Sequence, residues 1–154
     1  MNSYHSTTYQ IVFGTKYRRK VMTRKNRLKL FKFIYGICKN YECHVYRING
    51  VSDHIHIVLS IPPKVAISAL IKEIKSSSSG FIRKERLFKN WMGWQKGYFL
   101  GSYAAEARDN LVAYVKKQET HHGEMNELEK ESYHDELVRL LGEHHIPWDE
   151  VYLE

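Results

Sequence analysis

Seven residues, Asp53-His54-Ile55-His56-Ile57-Val58-Leu59, constrain the fold of this chain more than any other stretch. Side chains alternate between the two faces of a strand. Ile55, Ile57 and Leu59 therefore share one face, apolar and suited to a core. His54 and His56 share the other. Pro62-Pro63 ends this strand, and the β-branched stretch Cys43–Ile48 before it predicts another. Asn49-Gly50 between them is a favoured tight-turn dipeptide, so the two strands read as a hairpin.

The rest of the chain supplies partners for that hairpin. Thr7–Phe13 is β-branched and aromatic and predicts a first strand, followed by a basic connection, Lys16–Lys20. From Arg24 to Tyr41, Leu28, Phe31, Ile34, Tyr35 and Cys38 recur at helical spacing. A second helix spans Ala66–Arg86, with Ile67, Leu70, Ile71 and Ile74 as its stripe and the run Ser76–Gly80 inside it or at its end. Gly97–Tyr103 predicts a fourth strand, Ala104–His122 a third helix and Leu128–His144 a fourth. The order β-α-β-β-α-β followed by helices is α+β, the ferredoxin-like split βαβ arrangement. Its antiparallel sheet carries helices on one face and leaves the other free. On that reading His54 and His56 lie on an open face, and replacing both with alanine leaves the fold largely intact.

A chain of 154 residues is enough for one domain with a real core. No stretch is apolar and long enough to span a bilayer, and Met1–Thr15 lacks the layout of a signal peptide. Cys38 and Cys43 fit neither a redox pair nor a zinc finger and read as free thiols, which points to the cytoplasm. The net charge of +7 conceals an asymmetry: residues 1–100 hold 19 Lys/Arg against 4 Asp/Glu, and residues 101–154 hold 5 against 13. A body so basic favours polyanionic partners, nucleic acid first among them. The acidic C-terminal part argues against nucleic acid wrapping the whole molecule.

Two imidazoles two residues apart on a strand can reach one metal ion, because neutral imidazole is a common metal ligand. They can equally be solvated polar residues. On the third predicted helix, Asn110, Tyr114, Gln118 and His121/His122 recur at three- and four-residue steps and share a face, while Ala104, Ala107, Leu111 and Val115 form a neighbouring apolar face. Tyrosine can attack phosphorus covalently, but its ordinary pKa of about 10 requires a nearby cation to stabilise the phenolate. Gln118, one turn from Tyr114, offers a third, neutral oxygen ligand. Two imidazoles and an amide suit a labile divalent ion, Mg²⁺ or Mn²⁺. Among eleven tyrosines, one at such a spacing also arises through packing alone.

Taken together, these segments resemble the single-tyrosine HUH transposases of small bacterial and archaeal insertion sequences, the IS200-like transposases. The resemblance is carried by Tyr9–Val21, by Gly50–Pro63 around His54-Ile55-His56, and by Tyr114-Val115-Lys116-Lys117-Gln118, with Ile71–Ser78 and Trp94–Phe99 between them. It covers about residues 5–122. It implies a transposase domain over 1–123 and an acidic helical extension over 124–154. It further implies that His54, His56 and Gln118 bind the metal and that Tyr114 attacks a DNA phosphodiester, leaving a 5′-phosphotyrosine and a free 3′-OH. The DNA-contacting set would be Lys16, Tyr17, Arg18, Arg19, Lys20, Lys75 and Ser76. Members act on single-stranded DNA with hairpins near element ends, and as homodimers in which one subunit's tyrosine helix serves the other's metal site. Gln10 and Phe13 stand where many members carry His and Trp, which puts a substrate role for that strand in doubt.

Two other readings fit parts of the pattern. One is a non-mobile HUH nickase acting on repeated hairpins. The other is a non-catalytic single-stranded nucleic-acid-binding module, which would stack bases on sheet aromatics; here His54 and His56 stand on the sheet instead.

Overall fold

A computed structural model describes residues 3–118 and 131–149. The elements are β1 (Tyr9–Gly14), α1 (Arg24–Asn40), β2 (His44–Gly50), β3 (His54–Ser60), α2 (Ile67–Glu85), β4 (Phe99–Ser102), α3 (Arg108–Lys116) and α4 (Tyr133–Glu143), with short 3₁₀ turns at Lys16–Arg18 and Ala105–Ala107. The four strands form one antiparallel sheet in the order β2-β3-β1-β4, the ferredoxin-like arrangement. Residues 119–130, which include the predicted helical positions His121 and His122 and the predicted start of the fourth helix, lie outside the described residues.

Strand alternation places the core as the sequence requires. Ile11 and Phe13 of β1 and Ile55, Ile57 and Leu59 of β3 are fully buried against Leu30, Ile34 and Cys38 of α1 and Leu70, Ile71 and Ile74 of α2. The buried face of α1 departs from the expected stripe. Leu28 is 60% and Tyr35 45% exposed, while Arg27, Leu30 and Ile37 turn inward. Arg27 can do so because it buries its stem and donates its Nη1 proton to Met22 O at 3.0 Å. The serine run lies inside α2. Ser78 and Ser79 are buried and accept from the indole nitrogens of Trp94 and Trp91 at 2.9 and 3.1 Å, so it anchors the stretch leading into β4. Cys38 and Cys43 are buried free thiols, and burial pushes Cys38 up to about 12.

Three expectations need correction. Asn49-Gly50 is not the turn: both residues belong to β2, and Val51-Ser52-Asp53 makes the connection, closed by Val51 N–H donating to His54 O at 3.0 Å. The Asn49 side chain instead donates to Val115 O and Lys116 O at 3.0 Å each, gripping the C-terminal end of α3. The third helix is shorter than predicted, with Ala104 exposed ahead of it. The largest correction concerns the second face of the sheet, which is not open. Leu111 and Val115 of α3 pack on Val58. Tyr133, Leu137, Leu140 and Leu141 of α4 pack on Val12 and Phe99. His54 and His56 lie beneath these helices, each 0% exposed. The expectation failed because α4 carries its own apolar stripe, which must be buried somewhere, and the uncovered half of the sheet offers that surface. Among the described residues no helix is long and apolar enough to cross a membrane.

Candidate active site

The register of the sheet builds the site. Val12 stands opposite His56 and Gly14 opposite His54, so these four share the covered face with Gln10. Gly14 matters there because it lacks a side chain. A Cβ at that position would run into Gln95 Oε1, the Tyr133 ring and Asp53 O. The space it leaves lets Tyr133 stack on the His54 imidazole, with ring centroids 4.2 Å apart and planes 11° apart.

Each imidazole is held from behind. His54 Nδ1 donates to Asp53 Oδ1 at 2.7 Å, and His56 Nδ1 donates to Gln10 Oε1 at 2.6 Å. Gln10 commits its amide nitrogen to Tyr103 Oη at 2.7 Å, which turns its oxygen to the histidine. Such partners fix the tautomer and ring direction of metal-binding histidines. Gln10, whose departure from the family pattern raised doubt about substrate contact, is thus fully buried and orients His56.

In front of the rings stands Glu136 of α4, 0% exposed. Its Oε1 lies 2.9 Å from His54 Nε2 and 2.9 Å from His56 Nε2. Its Oε2 accepts from the Tyr114 hydroxyl and, at 3.1 Å, from Gln118 Nε2. Burial lowers the pKa of His54, but the hydrogen bonds and charges of Asp53 and Glu136 outweigh that and raise it to about 9. Burial also raises Tyr114 well above the ordinary tyrosine value, and the charge of Glu136 adds to this. Arg139 opposes it, donating Nη2 to Tyr114 Oη at 2.6 Å while Glu131 and Glu143 hold its guanidinium. Tyr114 is thus a held phenol whose ionisation requires further positive charge nearby.

Several expected residues converge here. His56 and Tyr114 have ring centroids 6.1 Å apart within the one chain. Gln118 is fully buried just beyond α3, and its Oε1 has no hydrogen-bond partner. A buried carbonyl oxygen without a partner is unfavourable unless something positive reaches it. Together with the His54–His56–Glu136 group, whose ligand atoms lie within 4.8 Å of one another, it makes a donor set of nitrogen and oxygen that fits a divalent ion. Asn110, expected on the same helical face, is exposed.

Two of the expected DNA-contacting residues, Lys16 and Lys75, bond to the 93–97 loop. Lys16 N–H donates to Gly93 O at 2.9 Å. Lys75 commits its ammonium to Gln95 O and Gly97 O at 2.7 and 2.8 Å, so it braces this loop. Tyr17 and Arg18 adopt left-handed backbone conformations with φ of 58° and 54°, and Tyr17 is 67% exposed. Arg18 lies over the Tyr133 ring, 6.0 Å from its centroid. Lys16, Arg19, Lys20 and Ser76 are exposed.

Glu136, Arg139 and Tyr133 escaped the sequence reading, which named no site residue in the acidic extension. A signal was present: Glu136 falls on the apolar stripe of Tyr133, Leu137, Leu140 and Leu141, where a carboxylate is costly without partners.

Residues 3–118 match the family model "Transposase IS200 like". The transposase for insertion sequence element IS200 of Salmonella typhimurium is 28% identical over 118 residues, covering 71% of this chain and 75% of the relative. The ISDra2 transposase TnpA of Deinococcus radiodurans is 25% identical over 115 residues, covering 71% and 82%. Among solved structures, a candidate transposase from Deinococcus radiodurans superposes with a TM-score of 0.60 at 19% identity, covering 77% of this chain and 95% of that one. A REP-associated tyrosine transposase bound to a REP hairpin superposes with a TM-score of 0.61 at 16% identity, covering 92% and 88%. This chain belongs to the IS200-like transposase family.

Proposed function

We propose that this chain cleaves and rejoins single-stranded DNA through Tyr114, with a divalent ion, Mg²⁺ or Mn²⁺, held by His54, His56 and Gln118. One observation carries the reading: Tyr114 and the histidine pair meet at the same buried carboxylate, within a single chain. Tyr114 Oη would attack a phosphodiester, forming a bond to phosphorus as the bond to the 3′ oxygen breaks. The tyrosine proton leaves and the 3′ oxygen gains one, giving a 5′-phosphotyrosine and a free 3′-OH. Strand transfer reverses the step and needs no nucleotide cofactor. When bound, the ion would polarise a non-bridging phosphate oxygen and offset the charge on the attacking phenolate. Asp53 and Gln10 keep the imidazoles pointed at it. The test is incubation with Mn²⁺ and labelled single-stranded hairpin DNAs. An adduct mapped to Tyr114 and lost with chelator supports the reading. Tight binding without any adduct would favour the binding module.

Hairpin DNA is the proposed substrate form, because the solved relative bound to a REP hairpin superposes over 92% of this chain. The same likeness favours, as a second reading, a non-mobile nickase acting on repeated hairpins. The two differ in whether the gene's own flanking DNA is cut. Basic residues Lys16, Arg18, Arg19 and Lys20 would hold phosphates, and exposed Tyr17 could stack a base. Binding is expected to fall steeply with salt, log K dropping with log salt at about −0.7 per phosphate neutralised. A flat response measured by anisotropy would remove the basic turn from the DNA site.

The resemblance implies a homodimer with the tyrosine acting in trans, whereas the geometry supports cleavage in cis. Mixing a Tyr114→Phe chain with a His54→Ala chain is therefore expected to leave cleavage at background. Restored cleavage would place the tyrosine helix in the partner's site.

A further inference from the structure

Both imidazoles turn the same way. With Nδ1 committed to Asp53 and Gln10, each ring turns its Nε2 toward Glu136. The two Nε2 atoms and Glu136 Oε1 bring three atoms able to ligate a metal to one spot, at 2.9 Å from oxygen to each nitrogen. With no ion bound, a proton on Nε2 joins ring and carboxylate, and a divalent ion takes the place of such protons when it binds. Adjacent ligand atoms around an octahedral ion at about 2.1 Å lie about 3.0 Å apart. Ligands of a single ion can adopt this oxygen-to-nitrogen spacing, the three atoms lie within 4.8 Å of one another, and all three residues are fully buried.

We infer that Glu136 is itself a ligand of the divalent ion through Oε1 and, through Oε2, positions the hydroxyl of Tyr114. The inference rests on the metal-dependent reading above and adds to it a charged ligand from outside the family-matched residues 3–118. It gives α4 a task beyond covering the sheet. One carboxylate joins the ion to the nucleophile, and Gln118 Nε2 steadies that carboxylate while its own Oε1 stays free for the ion. Anionic Glu136 also makes the site harder and more charged than two imidazoles and an amide, which favours Mg²⁺ and Mn²⁺.

The test titrates Mn²⁺ into the full chain and follows the free ion by electron paramagnetic resonance. Wild type, Glu136→Gln and His54→Ala are compared, each checked for folding by circular dichroism. Glu136→Gln is expected to weaken Mn²⁺ binding by about 10–100-fold or more, since even partners behind a ligand cost that much. At saturating Mn²⁺ it should lower kcat with little change in KM for hairpin DNA, as loss of tyrosine positioning requires. Wild-type affinity in Glu136→Gln beside lost affinity in His54→Ala would overturn the inference and leave the two-histidine reading standing. No Mn²⁺ binding by the wild type would overturn both. Should Glu136→Gln fail to fold, the wild-type chain crystallised with Mn²⁺ decides the matter. An ion about 2.0–2.2 Å from Oε1 supports ligation, and one beyond hydrogen-bonding distance overturns it.

Discussion

Tyr114→Phe is expected to reduce DNA cleavage to background, a loss on the order of 10⁶-fold if it behaves as other covalent nucleophiles do. Hairpin binding should be retained. Phenylalanine keeps the ring beside His56 and removes only the hydroxyl. The groups that hydroxyl serves keep other partners. Glu136 Oε2 retains Gln118 Nε2, and Arg139 retains Glu131 and Glu143. The stability cost should therefore be about 1 kcal/mol, that of one hydrogen bond. Gel analysis of labelled hairpin DNA with Mn²⁺, alongside anisotropy for binding, checks both parts. Cleavage at the wild-type rate would remove Tyr114 from the chemistry. Another tyrosine at the site, Tyr133, would not then inherit the role easily, because its hydroxyl is committed to Gln95 Oε1 at 2.8 Å.

What the sequence disclosed and what it concealed divide along physical lines. The strand of His54 and His56 was legible because a period of two is rigid: once Ile55, Ile57 and Leu59 enter the core, the histidines have only one place to go. Tyr114 and Gln118 were legible as neighbours because four residues make about one helical turn. The stripe of α1 was read less well, since Leu28 and Arg27 compete for the same edge and burial of an arginine stem overrode hydrophobicity. Asn49-Gly50 shows a turn signal overruled by tertiary need, the asparagine amide being used on the end of α3. Glu136 was the hardest to see. It is 80 residues from His56 in sequence, and nothing local distinguishes it from the many acids of its segment until α4 is laid on the sheet. The same distance hid the closure of the second face. Whether α4 returns to cover the sheet depends on long-range packing, which periodicity alone does not report.

That closure changes what the paired substitution His54→Ala plus His56→Ala should do. On an open face the double variant would lose only its response to metal. In the closed site it is expected to lose stability as well. Glu136 stays buried while both ring nitrogens 2.9 Å away disappear, leaving Tyr114 and Gln118 among its donors. Removing one side of a buried ionic pairing costs about 3–5 kcal/mol. For a chain of this size that is a fall in melting temperature of roughly 6–20 °C. Thermal unfolding in the presence of chelator measures this without any contribution from bound ion. Adding Glu136→Gln to the double variant removes the stranded charge and should return part of the lost stability, but no metal-stimulated cleavage. A double variant that melts like the wild type would mean that α4 does not hold Glu136 against the histidines in solution. Metal-stimulated cleavage surviving in it would exclude the histidine pair as the metal site, whatever the melting curves show.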